Sequence, residues 1–312
     1  MNKNKLLILL FCCFLVIFDT YSIDYYFSGR KTPKSLVFKD KIFIIGGNKG
    51  YAGKNQIEAN DIWVSNYGDT WERLTKNFIN PSRINFSCAV FKNKIWVIGG
   101  YDQSGVKLLN DVWCSEDGVK WEMITNRTTF PKRENASLIV FKDKLWLIGG
   151  VSSDGEVLSD VWTSENGYEW VKVSDNHSIN SYYSCPVIVY NDKLFYFSYG
   201  IGIFTTVDGL NWEPVSDKDD IISKRSFYTV EIFQDTIYVI CGQYKTEDSN
   251  IIALSNEVLT SKDGKEWKVV SPEYDLLQKG DIYHRFSIKP VRKNHTSVVF
   301  KDRIFIFGGE TG

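Results

Sequence analysis

One pattern recurs six times along the chain, and it restricts the fold more than any other property of the sequence. An apolar run ending in an aromatic residue leads into a short polar turn, and a second apolar run ends in glycine. The copies run from Ser35 to Gly47, Ser87 to Gly100, Ser137 to Gly150, Ser184 to Gly200, Thr229 to Gly242 and Ser297 to Gly309. The first runs end at Phe38, Phe91, Phe141, Tyr190, Phe233 and Phe300, and turns such as Lys39-Asp40-Lys41 and Lys92-Asn93-Lys94 follow them. Runs of this length, rich in β-branched and aromatic residues and joined at Asn or Asp, are strands of a hairpin. We label them strands A and B. A second unit follows five of the copies: Trp63 to Trp71, Trp113 to Trp121, Trp162 to Trp170, Phe204 to Trp212 and Leu259 to Trp267. Its turns are Tyr67-Gly68, Asp117-Gly118, Asn166-Gly167, Asp208-Gly209 and Asp263-Gly264. Glycine after Asp or Asn supplies the positive backbone angles of a tight hairpin. These are strands C and D.

Four antiparallel strands repeated about every 50 residues describe the blades of a β-propeller. A single blade cannot hide both of its faces, so stacking must bury the aromatic faces between neighbours. The expectation is an all-β propeller of about six four-stranded blades, with its tryptophans in the inter-blade core and not in a ligand cage. The glycine pairs Gly46-Gly47, Gly99-Gly100, Gly149-Gly150 and Gly308-Gly309, each followed downstream by an aromatic residue and Trp, resemble the kelch motif, and the resemblance covers about residues 30 to 312. Blade 4 departs from it with Ser198-Tyr199-Gly200 and Phe204, and blade 5 with Cys241-Gly242 and Leu259; both are expected to be less regular.

The sixth copy supplies strands A and B only. The residues Ile23 to Phe27 would provide one further strand, which leaves blade 6 incomplete in this chain, and truncation is the expected cause. Residues 1–22 read as a signal peptide: Lys3 and Lys5 precede an apolar run from Leu6 to Phe18, too short to span a bilayer, with Thr20 and Ser22 at the positions read on cleavage. The propeller is then residues 23–312, secreted or periplasmic and acting as a monomer without a membrane span. The mature part keeps Cys88, Cys114, Cys185 and Cys241, whose irregular spacing suits buried fillers better than a disulfide framework, although a Cys88–Cys114 pair is open.

The short A–B and C–D turns must emerge at one end of a meander and the B–C and D–A connections at the other. The second set varies: the step from the closing glycine of B to the first large apolar residue of C is 4 in blade 4 (Gly200 to Phe204) and 17 in blade 5 (Gly242 to Leu259). Variable loops on a rigid base carry recognition. On that face, eight residues before each strand-A aromatic, stand Arg30, Arg83, Arg133, Tyr182, Arg225 and Arg292. In kelch propellers strand A lines the central channel, so the resemblance implies five guanidinium groups around its mouth. They are either clips that bridge carbonyls of adjacent blades or a site for an anion. His295 and Asn135 lie in the same segments and join the candidate ligand-binding set.

A net charge of −1 gives no reason to expect a nucleic-acid partner. The three histidines, His177, His284 and His295, lack metal-ligand spacing, no phosphate-cradling loop or nucleophile elbow is present, and neither a metal nor a cofactor is expected. The reading is a binding scaffold for a protein or carbohydrate ligand, with no catalytic residues assigned. The alternative is a sugar-processing enzyme similar to the kelch-type sialic acid mutarotases, holding a substrate carboxylate on the arginine ring. The two differ in one geometric fact: whether the arginines are engaged by the protein itself.

Overall fold

The computed structural model describes residues 29–49, 59–175, 185–216, 220–245, 252–270 and 291–311. The expected leader, the expected strand from Ile23 to Phe27, position 182 and the longest connection, Ser271 to Val291, apart from Val291 itself, lie outside the described residues.

Blades 1 to 5 are four-stranded antiparallel meanders in A–B–C–D order. Blade 1 consists of Lys34–Phe38, Lys41–Ile45, Ile62–Ser65 and Glu72–Thr75. Blade 2 comprises Ser87–Phe91, Lys94–Asp102, Lys107–Ser115 and Glu122–Thr125, and blade 3 Ser137–Phe141, Lys144–Ile148, Asp160–Ser164 and Val171–Asp175. Blade 4 runs Val187–Tyr190, Lys193–Ser198, Gly202–Thr206 and Glu213–Pro214, and blade 5 Thr229–Ile232, Ile237–Ile240, Val258–Ser261 and Lys268–Val269. Blade 6 shows A and B, Arg292–Phe300 and Arg303–Thr311. No helix among the described residues is long and apolar enough to cross a membrane.

Turn chemistry sets each hairpin. In the A–B turns of blades 1 to 5 both central residues are left-handed, from Lys39 and Asp40 to Gln234 and Asp235. That conformation matches the twist of the strands it joins. The connections read as loops are shorter than expected in blade 2, where Asp102 pairs with Lys107 and continues the B–C hairpin. Blade 5 adds a small ribbon of Arg225–Ser226, Gln243–Lys245 and Ile252–Leu254 on the same side.

Among the described residues the hydrophobic core is six separate layers, each spanning two neighbouring blades. Phe43 and Val64 of blade 1 meet Ile95 and Val97 of blade 2, and the series continues round to Phe305 and Phe307 of blade 6 against Ile42, Ile44 and Trp71 of blade 1. The innermost strands also pack in sequence, with strand A of blade 6 returning to strand A of blade 1. The ring is closed. None of the ten tryptophans is exposed, which places their faces between blades as the repeat required.

The C–D turn glycines act as spacers in this stack. A methyl group on Gly167 of blade 3 would lie 2.2 Å from Trp96 of blade 2, and one on Gly209 of blade 4 would lie 2.0 Å from Trp146 of blade 3. Gly68 of blade 1 stands against Phe305 of blade 6 in the same way, a second mark of closure. The four cysteines Cys88, Cys114, Cys185 and Cys241 are free thiols, so the open Cys88–Cys114 pairing is not made.

The candidate binding face and the arginine clips

The five arginines are buried, and each is turned into its own blade. Arg133 shows the full arrangement. Its Nη1 donates to Gly149 O at 2.8 Å, at the end of strand B, and its two terminal nitrogens grip both oxygens of Asp160 at 2.6 and 2.8 Å. The same carboxylate accepts Trp162 Nε1 at 2.7 Å. Arg83 repeats it with Gly99 O, Asp111 and Trp113, and Arg30 with Gly46 O, Asp61 and Trp63. Burial pushes the carboxyls of Asp61 and Asp160 up, but the arginine hydrogen bonds and charge outweigh it and hold both below the usual range. Such planar, two-point pairing is what guanidinium geometry favours.

The clip also reaches the neighbouring blade, through the backbone. Gly100 N of blade 2 donates to Arg133 O of blade 3 at 2.9 Å, Gly242 N to Arg292 O at 2.9 Å, and Gly309 N of blade 6 to Arg30 O of blade 1 at 2.8 Å. The clip reading therefore needs one correction: the side chain ties B to C within a blade, and the carbonyl ties blades together. Arg225 bonds Ser255 Oγ at 3.0 Å and pairs with Glu257, while Arg292 donates to Gly308 O at 2.9 Å. The partner carboxylates Asp61, Asp111 and Asp160 went unnoticed in the sequence. The signal was present as Asp-x-Trp at the start of strand C, in the three blades where the arginine is also found.

The channel mouth is lined by other residues. A cavity of about 520 Å³ opens on the B–C and D–A face, and Asn135 and His295 line it while none of the five arginines does. Two residues after each described arginine the chain turns left-handed: Thr32 (φ 49°), Asn85 (55°), Asn135 (58°), Phe227 (57°) and Asn294 (57°). All five border the cavity. Their backbones run round it, Thr32 N donating to Asn294 O at 2.7 Å, Asn294 N to Phe227 O at 3.3 Å and Asn135 N to Asn85 O at 2.9 Å. Asn85 donates to Glu134 and Asn294 to Glu310.

Below this rim, Ser87 Oγ donates to Ala136 O at 2.6 Å and Ser35 Oγ meets Thr296 Oγ1 at 2.6 Å, joining neighbouring strands A. Ser297 Oγ donates to Glu231 at 2.7 Å, and burial lifts that carboxyl to about 7. His295 Nε2 faces Thr229 Oγ1 at 3.0 Å; burial, and then the charge of Arg292, push the imidazole down to about 3, so it is neutral at ordinary pH. No grouping of potential metal ligands occurs among the described residues.

A closed ring of antiparallel blades, five of them four-stranded among the described residues, held by glycine pairs and arginine clips, defines a kelch-type propeller. The KLHDC2/KLHL20/DRC7 Kelch-repeats domain matches residues 27–200, and the chain belongs to the kelch-repeat family. The DUF6242 beta propeller domain matches residues 114–312. Among solved structures, that of YjhT superposes with a TM-score of 0.70 over 93% of this chain and 93% of that one, at 13% identity, a likeness of fold alone. No curated protein matches the sequence at a significant level.

Proposed function

We propose that the chain is an exported, non-catalytic kelch propeller that holds a protein or carbohydrate ligand on the face where the B–C and D–A connections emerge. One observation carries this reading: the channel-mouth cavity opens on that face and is rimmed by asparagine amides, hydroxyls and backbone groups. A cavity of this size with a few placed polar groups suits a small ligand or the tip of a loop. Export rests on the apolar run from Leu6 to Phe18 after Lys3 and Lys5. The sugar-processing alternative, similar to the sialic acid mutarotases, asks for a guanidinium facing the ligand, and Arg30, Arg83, Arg133, Arg225 and Arg292 are engaged inside the blades instead.

The test is a binding comparison on an immobilised panel of glycans and peptides. Asn135→Leu, on the rim, is expected to abolish whatever the wild type retains, and Tyr168→Ala, on the opposite face, to leave it intact. Binding that survives Asn135→Leu and disappears with Tyr168→Ala puts the functional face at the wrong end of the propeller.

A further inference from the structure

The chemistry of the ligand is set by one residue that the arginine pattern hides. Lys34 opens strand A of blade 1, four residues before Phe38. The same position in the other blades holds Ser87, Ser137, Pro186, Thr229 and Thr296, all uncharged. Each hydroxyl there is satisfied by a neighbour: Ser87 by Ala136 O, Ser137 by Cys185 O, Thr229 by His295 and Thr296 by Ser35. Lys34 lines the cavity, is partly buried, and its ammonium has neither a hydrogen bond nor an ion pair among the described residues.

Every other charge at the cavity is accounted for. Lys31 pairs with Glu310 at 2.8 Å. Glu231 accepts from Ser297, and burial lifts its carboxyl to about 7, which favours its neutral form. His295 is neutral. The group that does feel Lys34 is the Cys88 thiol, which burial lifts to about 11 and keeps uncharged. Burial in turn lowers the Lys34 ammonium from its usual 10.5. An ammonium withdrawn from water with no counter-charge is costly unless an anion joins it. The Asn135 side-chain amide, on the same cavity, also has no partner among the described residues and offers two donors.

We propose that the channel mouth binds a small ligand through a single carboxylate, which pairs with Lys34. One cation matches one negative charge, and the other lysine on the cavity, Lys31, is already paired with Glu310, so a dianion such as phosphate would find no second counter-charge. This deepens the proposed binding role and rests on it.

Calorimetric titration of the full chain with glucuronate and with glucose, which differ at the carboxylate, tests it. Glucuronate binds the wild type, glucose binds about tenfold more weakly or not at all, and Lys34→Met loses about tenfold in glucuronate affinity. Lys34→Met keeps the fold, because it removes a desolvated charge and leaves its stem; an unchanged melting temperature checks this. A second readout is the amine itself, followed by NMR after ¹³C-methylation of lysines: its pKa rises when glucuronate is added. Absence of glucuronate binding to the wild type, equal binding of glucose, or equal binding to Lys34→Met overturns the assignment. If the panel still shows loss with Asn135→Leu while Lys34→Met has no effect, this inference fails and the binding face stands.

Discussion

Blades 1 to 3 and blades 4 to 5 solve the same packing problem with different parts. In the first group a buried arginine, an aspartate and an indole N–H form one closed cluster at the top of each blade. In blade 4 the position two residues before Phe204 is Gly202 and position 182 is Tyr, so carboxylate and guanidinium are missing together. Blade 5 keeps Arg225 but sets it against the longer Glu257, beside Leu259, whose side chain has no N–H to give. The Glu257 side chain is 39% exposed where that of Asp160 is 7% exposed. A buried acid and base are tolerated only as a complete set. The chain obeys this by losing both halves in blade 4 and by letting the carboxylate out toward water in blade 5.

Removing the arginine should therefore separate the two groups. Arg133→Ala leaves the Asp160 carboxylate buried with the Trp162 N–H as its remaining strong donor, and costs about 3–5 kcal/mol. Arg225→Ala frees a carboxylate that water already reaches, and costs about 1 kcal/mol. Urea unfolding midpoints measure both. Equal losses would mean that the clip does not distinguish the blades. The pH dependence has a definite sign: Asp160 is held below its usual pKa in the folded protein, so its contribution is complete above about 4 and fades as pH falls through the folded value. Arg133→Ala removes that acid-side loss.

The turn glycines sharpen the same contrast. A methyl group on Gly167 would lie 2.2 Å from Trp96, and φ there is +82°, so Gly167→Ala both clashes and forces a left-handed alanine, at about 2–4 kcal/mol. A methyl group on Gly264 of blade 5 would lie 3.2 Å from Phe195, so Gly264→Ala bears mainly the backbone strain, about 1 kcal/mol. Thermal unfolding of the two variants reads the difference. A larger loss at Gly264 would show that blades 4 and 5 are packed as tightly as blades 2 and 3.

Much of this was legible in the sequence because it repeats. The hairpins, the turn glycines, the inter-blade tryptophans and the arginine at a constant step before strand A all follow from period and turn chemistry. What escaped was pairing between distant positions. Asp61, Asp111 and Asp160 stand at the start of strand C after connections that vary in length, and that variable length hid their constant step before Trp. Lys34 escaped for a different reason: starting strand A at Ser35 set it one residue late, so a channel residue read as part of a loop. Counted back from Phe38, it aligns with Ser87 and Ser137 and is the odd member of its ring.

The left-handed rim offers the finest comparison. Asn85, Asn135 and Asn294 hold a conformation that asparagine tolerates, while Thr32 and Phe227 hold it against their own preference. Thr32→Asn should raise stability by about 1 kcal/mol, because it relieves strain at a β-branched residue and removes little packing. Phe227→Asn relieves the same strain but gives up a partly buried ring over which the Lys293 ammonium stands at 5.8 Å, so the two effects nearly cancel. Differential scanning calorimetry on both variants separates the terms, since backbone relief is common to them and the ring belongs to one. Equal gains would show that the Phe227 ring contributes nothing to the fold, and a strained aromatic retained at a cavity rim without structural benefit points to contact with ligand.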